Sequence, residues 1–221
     1  MPDLSQTAPA AFNCEGGLVL NRSTFMMQPG EALELQNFEP DIEGGYRRIN
    51  GFSKYVSAVV PYTSSASEKV LMVATFGDFV VAARGTSIYS ATAGGSSWTS
   101  RDSGRTSASK YNFERYNFDG NSKLIAVDGA NAPTFFNTSM SATDVSESSV
   151  EGSKFVVAFK SHMFYAGKST TPQTLVFSQP FDEDAFNSGS GAGTIKVDDT
   201  ITGLKVFRDN LFIFCENRIF K

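Results

Sequence analysis

The chain has 221 residues, with 19 basic and 23 acidic side chains and a net charge of −4. That mild acidity offers no bulk attraction for nucleic acid, and 41% hydrophobic with 13% aromatic residues is the composition of a chain with a packed core. The longest apolar runs are about five or six residues, far below the roughly 20 that cross a bilayer as a helix. The opening MPDLSQTAPAAFNCEGG also lacks the basic and then apolar regions of an export signal, so no membrane partner is expected.

Residues 1–54 read as an extended N-terminal assembly arm. The first thirteen are polar and small, and the following stretch is cut into short apolar pieces by Gly16, Gly17, Gly30, Gly44, Gly45 and Gly51. Pro29 would suit the start of one or two helical turns through ALEL, whereas Leu33 and Leu35 also alternate as a strand does. Phe25, Met26, Met27, Leu33, Leu35, Phe38, Ile42, Tyr46 and Phe52 are too many large apolar groups for a solvated tail.

Residues 55–221 change character. KVLMVAT, DFVVAAR and TSIYSAT are three short apolar runs separated by Gly77, Asp78 and Gly85, the pattern of tight antiparallel hairpins. The layout returns in YNF, KLIAVD and TFFN, then in FVVAFK, HMFYAG and TLVFS, and last in LKVFR, NLFIFC and RIFK. Second strands marked at Phe79, Leu124, Met163 and Leu211 recur after 45, 39 and 48 residues. Intervals of about 40 to 50 residues are those of four-stranded propeller blades. Ser, Thr and Gly-rich stretches between the units have room for an outer strand, with Trp98 and Ile195 to Val197 as their packed points. The expected fold is all-β: an incomplete β-propeller, or a propeller-like array of antiparallel sheets, of about three and a half units and continuing beyond Lys221.

Candidate chemistry is sparse. His162 is the only histidine, and its neighbour Ser161 would point to the opposite sheet face, which disfavours a nucleophile and base pair. The acidic groups Asp182, Glu183 and Asp184, and Asp198 with Asp199, fit solvated loops better than a calcium site or a hydrolytic carboxylate pair, and GSGAG lacks the spacing of a phosphate cradle. Cys14 and Cys215 lie near opposite ends and are expected to remain unbridged. No catalytic residue, metal site or cofactor is expected. Arg47 and Arg48 are the densest basic spot and suit an interface or an intrachain ion pair.

Gly16-Gly17-Leu18, then Gly30-Glu31-Ala32 with Leu35, Asn37 and Phe38, then Gly44-Gly45, Arg47-Arg48 and Gly51-Phe52, together with the aromatic-rich hairpins, resemble the N-terminal part of tailed-bacteriophage virion proteins of the tail hub or nozzle type. The resemblance implies a non-enzymatic structural component of the virion tail, made in the host cytoplasm and assembled with copies of itself and other tail or baseplate proteins. Passive contact with packaged DNA is included in that expectation. The assembly interface is then expected at Leu18, Phe25, Met27, Leu35, Phe38, Tyr46, Arg47, Arg48 and Phe52. The alternative is a host-receptor or glycan-binding propeller, with Trp98 on the ligand loop.

Overall fold

A computed structural model describes residues 16–41, 45–61, 69–106, 110–118 and 120–221. Backbone contacts divide the chain into two compact units between Ser53 and Lys54.

The first unit is built on two small sheets. Strand β1 (Gly17–Leu18) runs parallel to β2 (Glu31–Ala32), and β3 (Phe38–Pro40) pairs antiparallel with β4 (Tyr46–Arg48). Backbone approach explains the first glycine: a Cβ on Gly16 would meet the Glu31 side chain at 2.5 Å and its amide nitrogen at 2.7 Å. Gly30, at φ 89°, turns the chain into β2 with a conformation that a side chain disfavours. The Tyr46 hydroxyl donates to the Gly30 carbonyl at 3.2 Å and so ties the two sheets together. Within the segment read as an extended arm, local backbone pairing gives these short strands. The ALEL segment forms no helical turn, since Glu31 and Ala32 are already paired with β1. Ile42, Gly44 and Cys14 lie outside the described residues.

The second unit is a series of antiparallel meanders. The first sheet contains β5 (Val70–Phe76), β6 (Phe79–Arg84), β7 (Ser87–Thr92) and β8 (Thr99–Asp102) in sequence order. The second contains β9 (Asn112–Phe118), β10 (Asn121–Val127), β11 (Thr134–Phe136) and β12 (Ala142–Asp144). The third contains β13 (Phe155–Phe159), β14 (His162–Ala166), β15 (Thr174–Phe177) and β16 (Gly193–Lys196). The fourth has three strands, β17 (Ile201–Phe207), β18 (Asn210–Cys215) and β19 (Ile219–Phe220).

Each meander opens with the same hairpin, closed by Phe76 opposite Phe79, Phe118 opposite Asn121, Phe159 opposite His162 and Phe207 opposite Asn210. The second strands therefore start at Phe79, Asn121, His162 and Asn210. The earlier markers Leu124, Met163 and Leu211 fall inside strands whose first residues are polar and escaped an apolar count. The outer strands β8, β12 and β16 occupy the Ser, Thr and Gly-rich stretches, but Ile195 is exposed instead of packed.

Three apolar cores join consecutive sheets. Met72, Phe76, Val81 and Ile88 of the first sheet meet Leu124, Ala126 and Phe136 of the second. Phe118, Ile125 and Val127 of the second meet Val156, Met163, Tyr165 and Val176 of the third. Val157, Phe164, Ala166 and Leu175 of the third meet Ile201, Ile213 and, more peripherally, Leu204 and Leu211 of the fourth. A strand between two such cores is apolar on both faces, which is why β10 and β14 read as runs and not as alternations. The protein is thus all-β, a propeller-like array of antiparallel sheets.

Candidate functional site

The residues expected to form an interface sit on the first unit, and short-range structure decides how each is presented. Leu35, Phe38 and Tyr46 line one groove of about 450 Å³, together with Gly30, Glu31 and Gln36. Arg48 and Phe52 line another of about 480 Å³, with Asn37, Ile49 and Asn50. Leu18, Phe25 and Met27 line neither groove. Phe25 is 99% and Phe52 98% exposed, and Leu18, Leu20, Met26, Leu33 and Phe38 are exposed as well. Met27, Leu35 and Tyr46 are half-buried.

The two arginines part company. Arg47 faces Glu39 across the β3–β4 pair, and its Nε donates to Glu39 Oε1 at 2.7 Å. Both side chains are largely solvated, so the pair contributes little beyond strand register. Arg48 instead lines the Phe52 groove and carries a positive charge beside an exposed aromatic ring. The half-exposed Arg22 makes a further pair with the largely covered Glu31 at 3.0 Å, and Glu31 Oε2 also accepts the Gln28 amide.

In the second unit the acidic side chains singled out in the sequence are engaged by the chain itself. Asp182 accepts the Asp184 amide, Asp184 accepts the Ser146 amide, and the buried Glu183 forms an ion pair with Lys123. Asp198 pairs with Arg218 at 2.6 Å, while Asp199 accepts the amides of Thr200 and Asn217, each at 2.8 Å. Those amides, that of Asn217 foremost, hold the Asp199 carboxyl below its ordinary value. Among the described residues no group of three or more His, Cys, Asp or Glu side chains is arranged to hold a metal ion.

His162 Nδ1 lies 2.6 Å from the Ser178 carbonyl, and its ring meets Phe164 and Phe177 edge-on. Ser161 occupies the β13–β14 turn, where its carbonyl accepts the Phe181 amide at 2.7 Å. Trp98 is half-buried, and its indole N–H donates to the Ala58 carbonyl at 3.0 Å. Cys215 faces the third core.

Two polar centres join consecutive sheets; of their members the sequence singled out Glu183 alone, as a solvated loop residue, and it is buried instead. Arg105, from the loop after β8, is buried and joins the first two sheets: it reaches Asp102 at 2.6 Å, Asp128 at 3.3 Å, the Ala132 carbonyl at 3.0 Å and the Tyr111 hydroxyl at 3.1 Å. Burial would raise the Asp128 carboxyl, but hydrogen bonds from the Ala130 and Asn131 amides and from the Asn131 side chain, with the Arg105 charge, hold it below its ordinary value. Burial pushes Tyr111 up to about 12. An arginine in a Ser and Gly-rich loop has no periodic or motif signature, so only the fold reveals its partners.

The second centre lies between the second and third sheets. Tyr165 donates to the Glu183 carbonyl at 2.8 Å, and Lys123 sits 4.8 Å from the Phe135 ring centre. Burial first, and the Glu183 carboxylate second, raise the hydroxyls of Tyr165 and Tyr116 well above ordinary values. A groove of about 530 Å³ opens beside them, lined by Phe76, Arg115, Tyr116, Asn117, Ser122, Lys123 and Thr138. Its two cations are already engaged, Lys123 by Glu183 and Arg115 by the Thr75 hydroxyl at 3.0 Å.

No family model and no curated protein matches the chain. Among solved structures it is similar to the N-terminal domain of Nup159, with TM-score 0.42 and 10% identity over 65% of this chain and 38% of that one. It is similar to BamB from Moraxella catarrhalis, also at TM-score 0.42 and 10% identity, over 66% of this chain and 41% of that one. The chain spans less than half the length of each, and likenesses of this size carry no functional argument.

Proposed function

We propose that the protein is a structural assembly component of a tailed-bacteriophage virion, placed in the tail and joined to copies of itself and to other tail or baseplate proteins through its first unit. The observation that carries the reading is the near-complete exposure of Phe25 and Phe52 on a unit with backbone order of its own. Large apolar side chains held in solvent on an ordered element are available to a partner surface. Burying one such ring contributes about 1.5 to 3 kcal/mol, a gain available to any neighbour that covers it. The resemblance of the glycine and arginine pattern supplies the tail assignment. In the second unit, acidic groups held by amides and cations favour a rigid sector over a reactive centre.

The test is immunogold labelling, with antibody against this chain, of tailed particles released from cells that express its gene. Label confined to tails is expected. Unlabelled intact particles, in a preparation where the antibody detects the chain in the soluble fraction, refute the reading.

A further inference from the structure

We infer that Asn50 is a site of spontaneous deamidation through a cyclic imide formed with Gly51, an inference independent of the tail assignment. The reaction requires the backbone nitrogen of the following residue to reach the side-chain carbonyl carbon of the asparagine. A side chain on that following residue obstructs the approach, and a glycine removes the obstruction while leaving the backbone free to turn. Asn50 is the one asparagine in the sequence that a glycine follows.

The fold leaves this pair open. Both residues are exposed and lie in irregular backbone just beyond β4. Among the described residues no backbone hydrogen bond holds the Gly51 amide, and none engages the Asn50 carboxamide. A Cβ on Gly51 would meet nothing within 4 Å, so the ring has room to close. The asparagines with the next smallest followers are held instead. Asn131 accepts the Thr106 amide at 2.8 Å and donates to the Thr106 carbonyl at 2.9 Å. Asn187 accepts the Gly189 amide at 2.9 Å, and Asn121 is paired with Phe118 inside β10. Asp128 also precedes a glycine, but it is buried and its carboxylate is fixed by the Ala130 and Asn131 amides.

The chemistry needs only water. The Gly51 nitrogen gives its proton to solvent base and bonds to Asn50 Cγ, and the side-chain nitrogen leaves as ammonia. Water then opens the five-membered imide at either carbonyl. Opening at Cγ gives aspartate, and opening at the main-chain carbonyl gives isoaspartate, in which the peptide runs through the former side chain. One water enters, one ammonia leaves, and no oxidation or reduction occurs. The product carries a new carboxylate in the groove lined by Arg48, Ile49 and Phe52, and its isoaspartyl form also lengthens the main chain by one carbon. Copies of different age therefore present different surfaces at Phe52.

Incubation of the full chain in mildly alkaline buffer, followed by tryptic mapping, tests the site. Trypsin cuts after Arg48 and Lys54 and so releases residues 49–54. That peptide is expected to convert at least about tenfold faster than any other asparagine peptide. It should give two products of equal, raised mass, the more abundant of which accepts a methyl group from protein isoaspartyl methyltransferase. Asn50→Gln should abolish methylation of this peptide. Gly51→Ala, which the open space at Gly51 accommodates, should slow conversion at least about tenfold. A synthetic peptide of residues 47–54 supplies the rate of the unrestrained sequence, and the folded chain should lie within about tenfold of it. Asn50 still intact once the synthetic peptide has converted overturns the inference, as does faster conversion of Asn121, Asn131 or Asn187. A single product that accepts no methyl group shows direct hydrolysis without a ring and overturns it as well.

Discussion

Replacing Arg105 by methionine removes the charge that joins the first two sheets while keeping much of the side-chain volume. The guanidinium is 4% exposed and the Asp128 carboxylate fully buried, so the aspartate loses its nearest cation without gaining water. Breaking a buried pair by removing one partner costs about 3–5 kcal/mol. For a domain of about 150–250 residues each kcal/mol shifts the melting temperature by about 2–4 °C, which together predict a fall of about 6–20 °C. The Ala130 and Asn131 donors remain and place the effect toward the lower half of that range. Thermal melts followed by circular dichroism at neutral pH measure it. Arg105→Met with Asp128→Asn should recover a substantial part of the loss, since the uncompensated charge is then gone. Asp144→Asn should do little, because that side chain is 59% exposed and 3.7 Å from the guanidinium. A shift below about 2 °C for the single variant, or a double variant no better than the single, refutes this account of the junction.

Three further expectations follow from particular residues. Ser161, at φ 66°, holds a left-handed turn conformation that costs a non-glycine residue about 1–2 kcal/mol, so Ser161→Gly should raise the melting temperature by a few degrees; no change or a fall argues against strain in that turn. Burial raises the Glu114 carboxyl despite Lys205, the Ala158 amide and Arg115, so its ionisation works against folding as pH rises through the raised value. Glu114→Gln should therefore stabilise the protein at neutral pH and make little difference below about pH 4, and a gain confined to acid would reverse the assignment. Asp128 has the opposite sign: its contribution is present above the ordinary carboxylate range and is lost as pH falls through the depressed folded value. Acid melts of Asp128→Asn should accordingly be flatter than those of the parent protein over that window.

The repeat was legible in the sequence because each meander begins with an apolar strand, a turn of two residues and a second apolar strand. The phase was not legible: Asn121, Ser122 and His162 are strand residues with polar side chains, and an apolar count starts too late at each. The outer strands were visible only as gaps of suitable length, since Thr99–Asp102 and Gly193–Lys196 have few apolar side chains to announce them. In the first unit Gly30 marked a real turn, but pairings of two or three residues are shorter than any periodicity can register. The candidate surface residues were recognisable as excess hydrophobicity. Their division between two grooves and open solvent follows from contacts between residues far apart in sequence, such as the Tyr46 to Gly30 hydrogen bond, which links residues sixteen apart.

Every core of the second unit belongs to two successive sheets, and this has a consequence for how order is gained and lost. Dissolving the fourth sheet strips one core, whereas dissolving the second strips two, so opening is cheapest from an end and the interior sheets should hold their amide protons longest. The same adjacency suits a nascent chain. Each meander, as it leaves the ribosome, finds its template in the one just finished and need not wait for distant sequence.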